Sequence, residues 1–161
     1  MRWFWLGTSA MALVTFFALG FGGRSASAED QIRAVLDQGV IALEARDNGA
    51  AADLLHENYR DNGGRTKSAL KGVSFMALRR GPVFISLTDV KITVPEPKKT
   101  ATTATAAVQG VVLQGTPEIK VAKDLLPTRG RAFDVTVQFS RVDDDEWQVS
   151  AIDGLSASFI D

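Results

Sequence analysis

The chain has 161 residues with 18 basic and 19 acidic side chains, no cysteine, one histidine and one tyrosine. That inventory excludes a disulfide-stapled scaffold, a cysteine nucleophile and a cysteine-ligated zinc site. All 19 acidic residues but only 16 of the basic ones follow residue 28, so the chain beyond it carries a net charge of −3, which excludes the net positive surface that general nucleic-acid binding needs.

Arg2 is the sole charge before an uncharged run from Trp3 to Phe21. Gly22-Gly23 interrupts the run, and Ala26-Ser27-Ala28 offers the small residues a signal peptidase accepts, just ahead of Glu29-Asp30. A basic start, an apolar middle and a small-residue exit make residues 1–28 a signal peptide, with one domain over 29–161. An uncleaved anchor is the competing reading, since a run of 19 uncharged residues is long enough to span a bilayer. Its densest part, Ala10–Phe21, is only 12 residues, which favours cleavage. Either way the expected location is periplasmic or secreted, with membrane contact only through the leader where it is kept.

Ile32, Val35, Leu36, Gly39, Val40 and Leu43 recur at helical spacing and predict an amphipathic first helix. Asp47-Asn48-Gly49 should stop it, and Ala50–Leu55 reads as a short second helix. Thr66 can cap a third helix over Lys67–Arg80, closed by Gly81-Pro82. The pattern then turns extended. Val83–Val94 reads as a strand, Pro95–Lys99 as a turn, and Thr100–Leu113 as a second strand. A long connection, 114–130, leads to Arg131–Val142, where Phe133, Val135, Val137 and Phe139 take one face. Asp143-Asp144-Asp145 makes a turn before Glu146–Asp153, a strand with Trp147, Val149 and Ala151 on one side. Helices followed by an antiparallel meander mean α+β.

This order, with "AADLLHENYRDNGGRTKSALKG" and the closing "FDVTVQFSRVDDDEWQVSAIDG", resembles the nuclear transport factor 2-like superfamily, the cystatin-like cone of ketosteroid isomerases and polyketide cyclases. The resemblance implies N-terminal helices packed in the concave face of a curved antiparallel sheet of four to six strands, a pocket between them, and dimerisation through the open sheet. The superfamily hosts enzymes, adaptors and plain binding domains, so the fold alone fixes no function.

His56, Tyr59 and Asp61 are the one cluster with acid–base potential: a carboxylate as base, a tyrosine hydroxyl as oxyanion donor. The alternative is a corner in which Tyr59 packs and Asp61 bonds the amides of the Gly63-Gly64 turn, and it is the stronger of the two. Asp153, reading on the face of Trp147, and Asp134 are further carboxylates to place inside or outside the cone. With His56 and Tyr59, Trp147 and Phe75 are the expected ligand-lining aromatics. Arg60, Arg65, Lys67, Lys71, Arg79 and Arg80 against Asp61 give a local charge of +5, suited to an anionic ligand or lipid headgroups, or simply the solvated face of one helix. The acidic run Asp143–Glu146 lacks the spacing of a calcium loop, and no metal or cofactor is expected. Leu125-Leu126 in the long connection covers the pocket mouth, meets a partner or simply packs.

The leading reading is an exported, non-catalytic binding domain for a small apolar or amphipathic ligand or a protein partner, as a homodimer. Beside it stand an isomerase- or cyclase-type enzyme using Asp61 or Asp153 with Tyr59, and a structural component docking to an envelope protein.

Overall fold

The structure is a computed structural model in which residues 26–115, 130–143 and 146–154 are described. Residues 1–25 of the expected leader, Leu125-Leu126, and Asp144 and Asp145 of the expected acidic turn lie outside the described residues. Three helices, α1 (Ala28–Glu44), α2 (Asn48–Asp53) and α3 (Lys67–Arg79), precede four strands, β1 (Val83–Thr93), β2 (Thr103–Gln114), β3 (Gly130–Asp143) and β4 (Glu146–Asp153). The strands form one antiparallel sheet in the order β1-β2-β3-β4, with the helices packed against it. The class is α+β, as the residue pattern predicts, and among the described residues the sheet has the lower of the expected strand numbers.

Local chemistry sets each helix start. The Ser27 hydroxyl accepts the Asp30 amide, while the Asp30 carboxylate accepts the Ser27 amide at 3.2 Å and its hydroxyl at 2.7 Å. This capping box fills amides that α1 would otherwise leave open, and Glu29 and Asp30 suit the positive end of the helix. Arg46 takes the left-handed turn after α1 with φ of 59°. Asp47 then caps α2 by accepting the Ala50 amide at 2.9 Å, which is why α2 begins at Asn48, earlier than the apolar pattern suggests. Thr66 caps α3, as its place in the sequence predicts.

Strand alternation places the core. Ala104, Ala106 and Val108 of β2 and Val135, Val137 and Phe139 of β3 are buried, with exposed residues between them. Ile32 of α1, Tyr59 and Trp147 close the same cluster. β2 starts at Thr103 rather than Thr100 because the Thr100 amide and hydroxyl both turn back to the Pro97 carbonyl.

Both sheet edges are occupied, which blunts pairing with other chains. On β1, the Glu44 carboxylate at the end of α1 accepts the Ile85 amide at 2.7 Å. On β4, the segment 54–60 runs alongside: the His56 amide donates to Val149 O and the Val149 amide to Leu54 O, each at 2.9 Å.

Gly110 of β2 is required by packing. A Cβ there would lie 2.5 Å from the Ser86 carbonyl oxygen and 2.6 Å from the Phe133 ring. The backbone oxygen cannot swing away as a side chain would. Gly110→Ala is expected to destabilise the fold by about 3 kcal/mol, read as a lower midpoint in urea unfolding.

Candidate functional site

His56, Tyr59 and Asp61 lie between α2 and α3, and the edge pairing with β4 turns them toward the sheet. His56 is partly buried, and its Nδ1 accepts the Asn58 amide at 3.1 Å. The imidazole is thereby engaged in its own turn.

Tyr59 is 2 % exposed, one of the largest fully buried side chains. Its hydroxyl is buried and has no hydrogen-bond partner among the described residues. Burial pushes its pKa up to about 12, and the charge of Asp61 adds to the shift. Arg65 and the nearby Ile152 backbone oppose it, but Ile152 does not meet the hydroxyl in hydrogen-bond geometry. Tyr59 therefore stays protonated across ordinary pH.

Asp61 sits two residues on, its side chain fully buried. Asp61-Asn62-Gly63-Gly64-Arg65 folds into a small reversal. Gly64 takes φ of 77°, its amide donates to Asp61 O, and the Asp61 amide donates to Arg65 O. The reversal returns Arg65 onto the carboxylate: Oδ1 accepts the Arg65 amide at 2.8 Å and Oδ2 its guanidinium Nε at 2.6 Å. Burial alone would raise the Asp61 pKa, but the Arg65 amide and guanidinium, with the Gly63 amide, hold it below the usual carboxylate value. A general base needs a lone pair aimed at substrate and a pKa near working pH. Asp61 has both oxygens engaged by Arg65 and its pKa held down, which is the geometry of the corner reading.

The other carboxylates face away from the cone. Gln138 pairs with Ala151 and the next residue, Phe139, with Val149, so Ser150 is a bulge. Beyond it the faces of β4 exchange. Asp153 falls opposite Thr136 and accepts the Gln138 amide group at 2.9 Å, on the outer face rather than the face of Trp147. Asp134 is likewise outward, accepting from Gln109 at 2.9 Å.

The aromatics separate too. Trp147 is core, 2 % exposed; its indole N–H donates to Gln31 Oε1 at 3.0 Å and the Arg141 guanidinium lies 4.8 Å from its ring. Phe75, expected at the pocket, is instead 48 % exposed on the outside of α3, because Leu70 and Leu78 of that helix supply its inward contacts. Of the basic set, Arg65 is neutralised by Asp61 and Lys67 by Glu57 at 2.5 Å. Arg60, Lys71, Arg79 and Arg80 remain exposed.

Tyr59 and Trp147, expected to line a pocket, are buried in the core together with Phe139. An open groove of about 270 Å³ lies on the outer side of the sheet, against Thr93, Pro95, Thr103, Thr105 and Gln138. Arg65 as the partner of Asp61 and Gln31 as the partner of Trp147 were not identified from the sequence. The Asp-x-x-x-Arg spacing across Gly-Gly signals the first; nothing local signals the second, 116 residues away. Among the described residues, no cluster of three His, Asp or Glu side chains is placed to hold a metal ion.

No family model and no curated protein matches the sequence. Solved structures do resemble it in shape. An NTF2-like protein of unknown function from Pseudomonas putida superposes with a TM-score of 0.60 and 19% identity, over 81% of this chain and 87% of that one. A Nostoc punctiforme protein of unknown function with a cystatin-like fold gives 0.57 and 12%, over 81% and 92%. The chain has the NTF2-like fold. A protein from Novosphingobium aromaticivorans described as a putative scytalone dehydratase shares this NTF2-like shape at a TM-score of 0.55 and 13% identity, over 76% of this chain and 79% of that one. At such identities the likeness is one of fold.

Two outcomes follow from the Tyr59–Asp61–Arg65 corner. Tyr59→Phe removes an unpaired buried hydroxyl and is expected to leave thermal stability unchanged or raise it by about 1 kcal/mol. Asp61→Asn should destabilise the fold by about 3 kcal/mol at pH 7. Because the folded pKa of Asp61 lies below its unfolded value of about 3.9, its contribution is present above that pH and lost as pH falls through the folded value. Urea titrations from pH 7 to 2 should show a wild-type loss of stability at the acid end that is smaller in Asp61→Asn.

Proposed function

We propose that this NTF2-like chain is a non-catalytic binding domain, working outside the cytoplasmic membrane, that engages a protein partner through the outer face of its sheet, in the first instance a second copy of itself. The observation that carries this reading is the commitment of the inner groups. Asp61 is locked to Arg65, and Tyr59, Phe139 and Trp147 belong to one core cluster. The outer face, by contrast, is exposed, with Lys91 paired to Asp89 at 3.5 Å toward one edge and Asp134 and Asp153 toward the other. One row crosses all four strands: Lys91, Ala107, Thr136 and Asp153 are successive partners. A cation stands at one end of the row and a carboxylate at the other, with small side chains between.

Such a row is self-complementary. Two sheets related by a two-fold axis through its middle bring Lys91 of each copy to Asp153 of the other, which is the isologous arrangement of a cyclic dimer. The small residues let the two backbones approach closely, and the neighbouring groove over Thr93, Thr105 and Gln138 can receive side chains.

Light scattering on the eluting protein is expected to show a dimer. Ala107→Arg, at an exposed position, should give a monomer with an unchanged melting temperature. Lys91→Asp and Asp153→Lys should each weaken association about tenfold, and together restore it. A wild-type monomer at about 100 μM, above the micromolar Kd typical of weak specific pairs, would overturn the reading.

A further inference from the structure

From the helical side of the fold, and independently of the sheet face, we infer that the outward face of α3 docks on an anionic phospholipid surface. Residues 62–88 contain no aspartate or glutamate and five basic side chains, Arg65, Lys67, Lys71, Arg79 and Arg80, in a chain whose net charge is −1. Lys67 is paired with Glu57 and Arg65 with Asp61. Lys71 and Arg79 stand on either side of Phe75 at four-residue steps, so the three share one stripe of the helix.

The orientation of that stripe is fixed by the opposite side. Asn48 of α2 donates to Lys71 O at 2.9 Å and accepts the Ser74 hydroxyl at 2.5 Å, and Gln114 of β2 donates to Ala77 O at 2.8 Å. Ser68, Lys71, Gly72, Phe75, Met76 and Arg79 are left exposed. Phe75 is 48 % exposed and Met76 59 %. Large apolar groups ringed by cations and free of carboxylates are the composition of a helix that lies in a bilayer interface, apolar side chains in the acyl boundary and cations at the phosphates. The Arg79 guanidinium, 5.7 Å from the Phe75 ring centre, is placed to stay at the phosphates while the ring enters.

Gly72 adds a separate observation. It sits at the centre of this face, and a Cβ built there meets nothing within 4 Å. Among the described residues nothing makes use of its smallness, although glycine inside a helix costs about 1 kcal/mol against alanine. A missing side chain at that point lets the helix backbone lie flat against an external surface.

The chain has no cysteine, so Met76→Cys gives a single site for an environment-sensitive fluorophore that reports on this face and not on the leader. With vesicles of phosphatidylglycerol and phosphatidylcholine, the label should shift to the blue and become shielded from an aqueous quencher. Vesicles of phosphatidylcholine alone should bind about 25-fold more weakly, from roughly fivefold for each of two cations. The difference should shrink in 0.5 M salt, an added concentration at which the Debye length is only about 4 Å. A label at Thr105→Cys, on the sheet face, should not respond. Adding Gly72→Glu, which has open space and replaces a helix-weakening glycine and so does not lower the melting temperature, should abolish the response, as should Lys71→Glu with Arg79→Glu. An unshifted label at position 76, equal response to both lipids, insensitivity to salt, or a response that survives Gly72→Glu and the double reversal would each overturn the inference.

Discussion

The arrangement depends on a backbone contact: the segment between α2 and the Asp61 reversal pairs with the free edge of β4. Leu54 and His56 exchange hydrogen bonds with Val149, and the Arg60 amide reaches the Ser150 carbonyl at 3.1 Å. Ser150 is the bulged residue, without a partner on β3, so its carbonyl is free for Arg60 to use. The bulge and the docking of the helical half are thus one feature. It drives Tyr59 into the core between sheet and helices, puts Asp61 at the margin where the reversal can bring Arg65 back to it, and sends Asp153 to the outside.

This explains what could be read in the residues and what could not. β3 and β4 were legible because half-buried strands alternate with period two, and α3 because Thr66 marks its start and Gly81-Pro82 its end. The placement of Asp153 was not legible. Extrapolating that alternation from Trp147 through Val149 and Ala151 puts it inside, and a bulge at serine carries no glycine or proline to announce it. Phe75 misled for a related reason. An aromatic residue on an amphipathic helix is ordinarily an inward one, but α3 is short, and Leu70 and Leu78 already serve its inner face.

The Asp61 corner was readable as chemistry and ambiguous as function. A buried carboxylate beside a tyrosine describes both a catalytic pair and a structural one; what separates them is where the cation lies. Here Arg65 is delivered by the chain reversal itself, four residues on, so a local constraint neutralises the charge before a ligand could. The superfamily resemblance gave the fold, and the geometry of one ion pair bears on the chemistry.

The capping box at α1 ties the expected export signal to stability. Ser27 lies in the Ala26-Ser27-Ala28 run expected as the exit of a leader and makes the first hydrogen bonds of α1. A peptidase that cuts after Ala28 takes that serine away and leaves a positively charged terminal amine at the positive pole of α1, a loss of about 1 kcal/mol for the cap with a smaller repulsion added. A cut even two residues earlier keeps the serine hydroxyl. On the proposed reading of an exported chain, the choice of scissile bond would decide whether the leading helix is sealed or frayed.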